Sequence, residues 1–165
     1  MLHLFDANVL ITASNMYYPL DQIPEFWSWI EHQATLGTIK LPREMLEEVL
    51  AGGKNDDPLL DWMNKHKAVL VLVEDVDAKL VQYVVDNGYA PDLTDDQLEE
   101  IGQDPFLIAY AMAGNDRCVV TTEVSSPSKR RQNRKIPDVC NSIGVACHNP
   151  FTVYRTLGFS TAWKP

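Results

Sequence analysis

Carboxylate side chains stand at several places in this chain where an α/β protein commonly forms a binding site. Asp6 and Glu123 each follow a short apolar run, and Asp104 begins a helix-like segment. Three glutamates, Glu44, Glu47 and Glu48, lie on another predicted helix. Ligands bind at the carboxyl ends of strands in open α/β sheets, and Mg²⁺ and Mn²⁺ prefer oxygen ligands. The joint placement therefore favours a divalent-cation site.

Each of these acids also has an ordinary structural interpretation. Asp6 and Asp104 could cap the helices that follow them, since Asp is a common N-cap residue and Pro105 suits the first helical position. Glu44 and Glu47 could form a solvated helix face, and Glu123 could lie in a loop. Spacing alone therefore identifies no enzyme.

Positive charge is concentrated in one segment that follows Glu123. It contains Lys129, Arg130, Arg131, Arg134 and Lys135. Three interpretations stay open: a solvated loop, an arm that binds phosphate groups beside the acidic residues, and a docking strip for an acidic partner.

The histidines and cysteines are not spaced as metal ligands. His3, His32, His66 and His148 are scattered and are expected to be structural. Cys118, Cys140 and Cys147 include no CxxC pair, and their odd number does not indicate a disulfide framework. We expect them to be reduced residues of a core.

Length and composition predict one globular domain spanning residues 1–165. The chain is 45% hydrophobic and 22% charged, both ordinary values. No apolar stretch approaches the ~20 residues of a membrane span, and Asp6 interrupts the first apolar run, so we expect a cytoplasmic protein without a signal peptide. The net charge of −9 argues against a broad nucleic-acid binder. Bound divalent cations would reverse the local sign around clustered acids.

Alternating strands and helices predict an α/β fold with a mainly parallel sheet. Five strands are predicted, over Leu2–Phe5, Thr38–Leu41, Ala68–Val73, Arg117–Thr121 and Val145–Cys147. The third is the clearest, because six successive apolar residues suit a strand buried on both faces. Helices are predicted over 9–14, 23–36, 43–51, 57–66, 75–87, 104–113, 137–142 and 150–157, with a short one from Thr94. We expect a three-layer α/β/α sandwich around a five-stranded sheet.

The ordered set of motifs resembles the PIN-domain nucleases over nearly the whole chain. The string Phe5–Leu10 is similar to the opening motif of that family. Further similarity lies in the strand Ile39–Pro42 before a glutamate-bearing helix, in the helix that opens with Asp104, and in Val119–Glu123. Trp27 with Trp29, and the segments 59–62, 104–109 and 135–140, resemble one branch of small bacterial PIN-like proteins.

The resemblance implies an acidic cluster that binds Mg²⁺ or Mn²⁺. Its members would be Asp6, Glu48, Asp104 and Glu123. Glu48 matches the family's acid that precedes an apolar pair, and Glu44 is the competitor because it shares the same helix face one turn away. Asn8 and Thr121 would be outer polar groups or phosphate contacts. The chain departs from the family in carrying Glu123 where many members have Asp, and in insertions around 15–25 and 52–67.

The activity implied by the resemblance is metal-assisted hydrolysis of RNA phosphodiester bonds. Small prokaryotic PIN proteins are often toxins of toxin–antitoxin pairs, so a cognate antitoxin and a homodimer are further expectations. A haloacid-dehalogenase-like phosphatase is disfavoured, because Asn8 stands where that class has a second Asp. A catalytically silent interaction module and an RNA-processing nuclease that is not a toxin remain alternatives.

Overall fold

The computed structural model of this protein describes residues 1–53 and 56–165. In this part of the chain, four strands form one parallel sheet: β1 (Leu2–Phe5), β2 (Ile39–Lys40), β3 (Arg117–Val120) and β4 (Cys147–His148). The strand order is β2-β1-β3-β4, so β1 and β3 lie inside the sheet.

Nine α-helices accompany the sheet in the described residues. They are α1 (Ala7–Thr12), α2 (Pro24–Thr35), α3 (Arg43–Gly52), α4 (Pro58–Leu70), α5 (Ala78–Tyr83), α6 (Asp95–Ile101), α7 (Asp104–Met112), α8 (Ile136–Ser142) and α9 (Pro150–Thr156). π-Helical turns extend α1 over Ala13–Tyr17 and α5 over Val84–Tyr89. The predicted α/β class is confirmed, and the arrangement is compatible with a three-layer sandwich. None of these helices is long and apolar enough to span a membrane.

The predicted strand over Ala68–Val73 is wrong. Helix α4 continues through Leu70, and only Val71 pairs with the sheet, through a single parallel bridge to Leu41. The chain then leaves the sheet, and Val73 is 90% exposed. A short apolar run does not distinguish a buried strand from the end of a buried helix. The described sheet therefore has four strands rather than five.

Other boundaries differ from the predictions by a few residues. The last strand is Cys147–His148 rather than Val145–Cys147. Helix α5 begins at Ala78 rather than at residue 75, because the Asp77 carboxylate caps it by accepting the Lys79 N–H at 2.8 Å. Of the insertion expected at 52–67, residues 54 and 55 lie outside the described part of the chain.

The hydrophobic core surrounds the two inner strands. Leu4 and Phe5 of β1 and Val119 and Val120 of β3 are fully buried. Helix α7 packs against both strands, and its apolar residues are almost all buried. The core therefore holds the two strands whose ends carry the candidate site.

The register of the inner strands brings their carboxyl ends together. Phe5 pairs with Val120, which also pairs with His148 of β4. The Asp6 N–H donates to the Val120 carbonyl at 2.9 Å. Because the strands are parallel, Asp6 and Thr121 leave the sheet side by side at the same edge.

Candidate functional site

Asp6 lies where β1 passes into α1. It occupies the N-cap position, yet its side chain forms no capping hydrogen bond. Its Oδ2 instead accepts a hydrogen bond from Thr121 Oγ1 at 2.8 Å. Asp6 is 2% exposed, and burial raises its pKa to about 6, against the effect of the Thr121 hydroxyl and with help from the charges of Glu48 and Glu123.

Thr121 connects two of the acidic residues. Its side chain is buried, and its hydroxyl oxygen accepts the Glu123 N–H at 3.1 Å while its proton is donated to Asp6. This position fits the outer polar role that the resemblance implies for Thr121. Asn8, the other residue in that prediction, is exposed at the rim of the pocket described below.

Asp104 reaches the site through a sharp turn between α6 and α7. It is the first residue of α7, and the N-cap is Gln103, so the capping interpretation of Asp104 is wrong. Helix α6 ends at buried Ile101, and Gly102 then turns the chain with φ 54° and ψ −126°. Glycine adopts this conformation readily because it has no Cβ. The turn sets where the Asp104 carboxylate enters the pocket.

The Asp104 carboxylate is crowded by negative charge. Burial, followed by the charges of Asp6, Glu123 and Glu48, raises its pKa to about 8, while Lys135 opposes the shift. All four acids of the expected cluster are therefore close enough to influence one another. A cation in the pocket would favour release of the Asp104 proton.

Glu48 and Glu44 of α3 differ in which neighbouring side chains their charges affect. Glu48 is exposed overall, but partial burial of its carboxylate raises its pKa, and its charge contributes to the raised pKa of both Asp6 and Asp104. Glu44 lies near Tyr110, whose pKa is raised by burial and then by the Glu44 charge. Glu44 Oε2 is buried and has no hydrogen-bond partner among the described residues. This arrangement favours Glu48 as the residue that completes the cluster.

Glu123 is held by the end of the basic segment. Its Oε1 accepts a hydrogen bond from Lys135 Nζ at 2.8 Å, and its Oε2 accepts the Ile136 N–H at 2.8 Å. The ion pair is only partly screened by solvent, since the side chains are 24% and 41% exposed for Glu123 and Lys135. Each carboxylate oxygen accepts one hydrogen bond and keeps a second lone pair, so Glu123 can still contact a cation, although the positive charge of Lys135 opposes it.

Most of these acidic residues surround a pocket of about 500 Å³, whereas Asp6, which is 2% exposed, does not line it. Its acidic lining consists of Glu44, Glu47, Glu48, Glu100, Asp104 and Glu123. These residues come from α3, α6, α7 and the segment after β3, so the pocket exists only in the folded chain.

The donor set suits a hard divalent cation, although the side chains are not arranged as a finished site. Within residues 1–53 and 56–165, no three carboxylate, imidazole or thiol groups form a set that could hold a metal ion as they stand. Oxygen donors with excess negative charge are nevertheless what Mg²⁺ and Mn²⁺ bind. Asp6 is fixed by Thr121, whereas Glu48 is exposed and has a longer side chain.

Comparison with known proteins assigns the chain that carries this site to a family. A family model described as "Domain of unknown function (DUF4411)" matches residues 3–161. The chain belongs to the DUF4411 family. Searches of curated proteins and of solved structures found no significant match. The matched residues of this DUF4411 domain include every acid around the pocket.

Much of the basic segment in this DUF4411 domain is engaged within the protein. Arg131 has φ 54° and donates to Asp92 Oδ1 at 2.7 Å and to Gln97 Oε1 at 3.0 Å. Arg130 donates to carbonyl oxygens of its own loop. Lys129 is exposed and lines a second pocket beside the acidic one. Lys129, Arg130 and Arg131, which the phosphate-binding interpretation of this segment includes, therefore occupy different environments.

Two residues near the pocket, Glu100 and Tyr89, carried no functional assignment from sequence, and the acidic partner of Lys135 was not predicted. Glu100 lies four residues before Asp104, but the acids around it are typical of a solvated helix. Lys135 belongs to the recognised basic run, although its pairing with Glu123 depends on the fold. Tyr89 is buried beside Asp104: burial and then the Asp104 charge raise the Tyr89 pKa, and its hydroxyl has no hydrogen-bond partner among the described residues. No sequence pattern points to Tyr89.

Proposed function

We propose that this protein is a metal-dependent ribonuclease that hydrolyses RNA phosphodiester bonds. The observation that carries the proposal is the convergence of acids from separate elements on one pocket at the carboxyl edge of a parallel sheet. The raised pKa values of Asp6 and Asp104 support it, because crowded buried carboxylates are costly to ionise without a nearby cation.

The residues that would hold Mg²⁺ or Mn²⁺ are Asp6, Glu48, Asp104 and Glu123. A bound cation would lower the pKa of a water molecule and offset charge on the scissile phosphate. Thr121 fixes the orientation of the Asp6 carboxylate. Asp104 would bind as the carboxylate, so its proton must leave first. Lys135, which pairs with Glu123, would also lie close enough to contact a phosphate group.

The PIN-like resemblance supports a more specific biological role. We propose a PIN-like α/β/α nuclease that acts in the cytoplasm as the toxin of a toxin–antitoxin pair. Its partners would be the RNA substrate and a cognate antitoxin, and a second copy of the chain is a further candidate partner. A processing ribonuclease with the same chemistry is the alternative within this class.

One observation favours a second candidate, a catalytically silent interaction module. Both oxygens of Glu123 are already engaged, by Lys135 and by the Ile136 N–H. In such a module, Lys135 would permanently take the place that a cation has in an enzyme.

Calorimetric titration with MnCl₂ at pH 8 separates these candidates. The nuclease proposal expects wild type to bind Mn²⁺ and Asp6→Asn to lose that binding. Asp61→Asn is a matched control, because Asp61 is an exposed acid of α4 that lines neither pocket. Absence of Asp6-dependent Mn²⁺ binding would refute the proposal and leave the silent module.

Expression in a bacterial host distinguishes a toxin from a processing enzyme. A toxin arrests growth unless its antitoxin is present, and Asp104→Asn relieves the arrest. Cleavage of labelled RNA with Mn²⁺, without growth arrest at comparable protein levels, would instead support the processing enzyme.

A further inference from the structure

A second pocket of about 320 Å³ adjoins the acidic pocket. The two pockets share Glu100, Ile101, Asp104 and Glu123 as a common wall. A ligand that extends past Asp104 and Glu123 would therefore pass from one pocket directly into the other.

The far wall of this second pocket is built from hydrogen-bond donors. It consists of Lys129, Gln132, Asn133, Arg134 and Lys135. Three of these side chains are cationic, and the remaining two carry amide groups. The second pocket thus offers positive charge immediately beside the acidic one, in a chain whose net charge is −9.

Internal hydrogen bonds fix the segment that carries these donors. Arg131 ties it to Asp92 and Gln97, next to α6. Arg134 donates to the Asp138 carbonyl at 2.9 Å and to the Gly88 carbonyl. Lys135 directly follows the fixed Arg134, and the Lys129 N–H donates to the Ser126 carbonyl at 2.9 Å, so both lysines are presented from a supported backbone.

The two lysines remain suited to an external anion. Lys129 is exposed and forms no ion pair with the described residues. Lys135 pairs with Glu123 but keeps 41% of its side chain exposed. An ammonium group has three donors, so Lys135 can contact a phosphate while it still faces Glu123.

We propose that the second pocket binds the phosphate group next to the scissile one in an RNA strand, through Lys129 and Lys135. This inference rests on the proposed nuclease function, because it takes the acidic pocket as the place of cleavage. Arg130 and Arg131 of the same segment are engaged within the protein, so the inference assigns the substrate contacts to Lys129 and Lys135.

Fluorescence anisotropy tests the inference without catalysis. The probe is a 5′-fluorescein-labelled, 12-nucleotide single-stranded RNA in EDTA, titrated at several KCl concentrations. We expect Lys129→Met and Lys135→Met each to weaken binding about tenfold at low salt and to reduce the slope of log K against log salt by about one. Because Lys129 forms no ion pair with the described residues, Lys129→Met tests the inference even if loss of the Glu123 ion pair unfolds Lys135→Met.

Lys65→Met is the matched control, because Lys65 is an exposed lysine of α4 that lines neither pocket. It should leave both the affinity and the salt slope unchanged. The inference would be overturned if Lys129→Met and Lys135→Met kept the RNA affinity and salt slope of wild type. It would also be overturned if Lys65→Met lost as much affinity as they do.

A parallel cleavage assay with Mn²⁺ tests the nuclease function separately. Lysine-dependent binding without any cleavage would support the phosphate subsite and refute the proposed activity. Asp104-dependent cleavage, with unaltered RNA binding by both lysine variants, would support the activity and refute the subsite.

Discussion

Thr121 Oγ1 lies 2.8 Å from Asp6 Oδ2, although the two residues are 115 positions apart in the chain. The contact follows from the parallel register of β1 and β3, which places the residue after each strand at the same edge. The hydroxyl stabilises the charged form of Asp6 in surroundings that otherwise favour the protonated form. It therefore orients the buried carboxylate and partly offsets the cost of ionising it.

Replacing Thr121 by Val should destabilise the protein most at alkaline pH. The variant leaves buried Asp6 Oδ2 without its donor, and the Asp6 pKa rises further. We expect the free energy of unfolding to fall by about 1–3 kcal/mol at pH 8, where Asp6 is ionised, and by less at pH 5. Urea denaturation at both pH values measures this difference. Thr122→Val is the control, since Thr122 lines a small cavity near Tyr17 instead. An equal loss at both pH values would contradict the role assigned to Thr121.

Asp104→Asn should make the metal-free protein more stable at alkaline pH. The pKa of Asp104 is raised to about 8, and that of Asp6 to about 6, so the folded state holds these protons more tightly than the unfolded state. Their contribution to stability is fully present below about pH 4 and is lost as the pH rises through 6 and 8. In EDTA at pH 9, we expect the Tm of Asp104→Asn to lie about 5 °C or more above that of wild type. At pH 4 the two Tm values should differ little.

The same melts with Mn²⁺ provide the counter-test. Added Mn²⁺ should raise the Tm of wild type at pH 9 and have little effect on Asp104→Asn. A lower Tm for Asp104→Asn than for wild type in EDTA at pH 9 would show that crowding of the carboxylates is not a source of instability.

The glutamates of α3 should differ in their contribution to cation binding. The Glu48 charge contributes to the raised pKa of both aspartates, whereas the Glu44 charge contributes to the raised pKa of Tyr110. We expect Glu48→Gln to lower Mn²⁺ affinity by about a hundredfold and Glu44→Gln by less than about tenfold, as measured by calorimetry. Glu47→Gln serves as a control for loss of charge from the same pocket. A larger loss for Glu44→Gln would make Glu44 the ligand.

Gly102→Ala should strain the turn that presents Asp104. An added Cβ meets no atom within 4 Å at either Gly102 or Gly52, but only Gly102 has a positive φ, of 54°. We expect Gly102→Ala to lower the free energy of unfolding by about 1–2 kcal/mol. Gly52→Ala, in helical conformation, should be neutral or stabilising by up to about 1 kcal/mol. Chemical denaturation of both variants measures the two changes in the free energy of unfolding. Equal changes would contradict the attribution of the Gly102→Ala loss to backbone strain.

Several features of the fold were predictable because their signals are local. The strand Leu2–Phe5 and the helix after Asp57 follow from an apolar run and a capping residue, and Asp57 Oδ1 indeed accepts the Leu59 N–H at 2.9 Å. The strand predicted over Ala68–Val73 was wrong because hydrophobicity indicates only that residues are buried. A buried helix end can have the same composition as a buried strand. The hydrogen bonds that decide between them depend on where Leu41 lies.

The sequence by itself determined the α/β class, the acids at the ends of the inner strands and the charge of the segment after Glu123. These follow from periodicity, capping and composition, which act over a few residues. Only the tertiary structure decided that the Glu48 charge acts on both aspartates, that Lys135 holds Glu123, and that Arg131 is tied to Asp92. Such pairings depend on strand register and helix orientation, which distant segments of the chain set together.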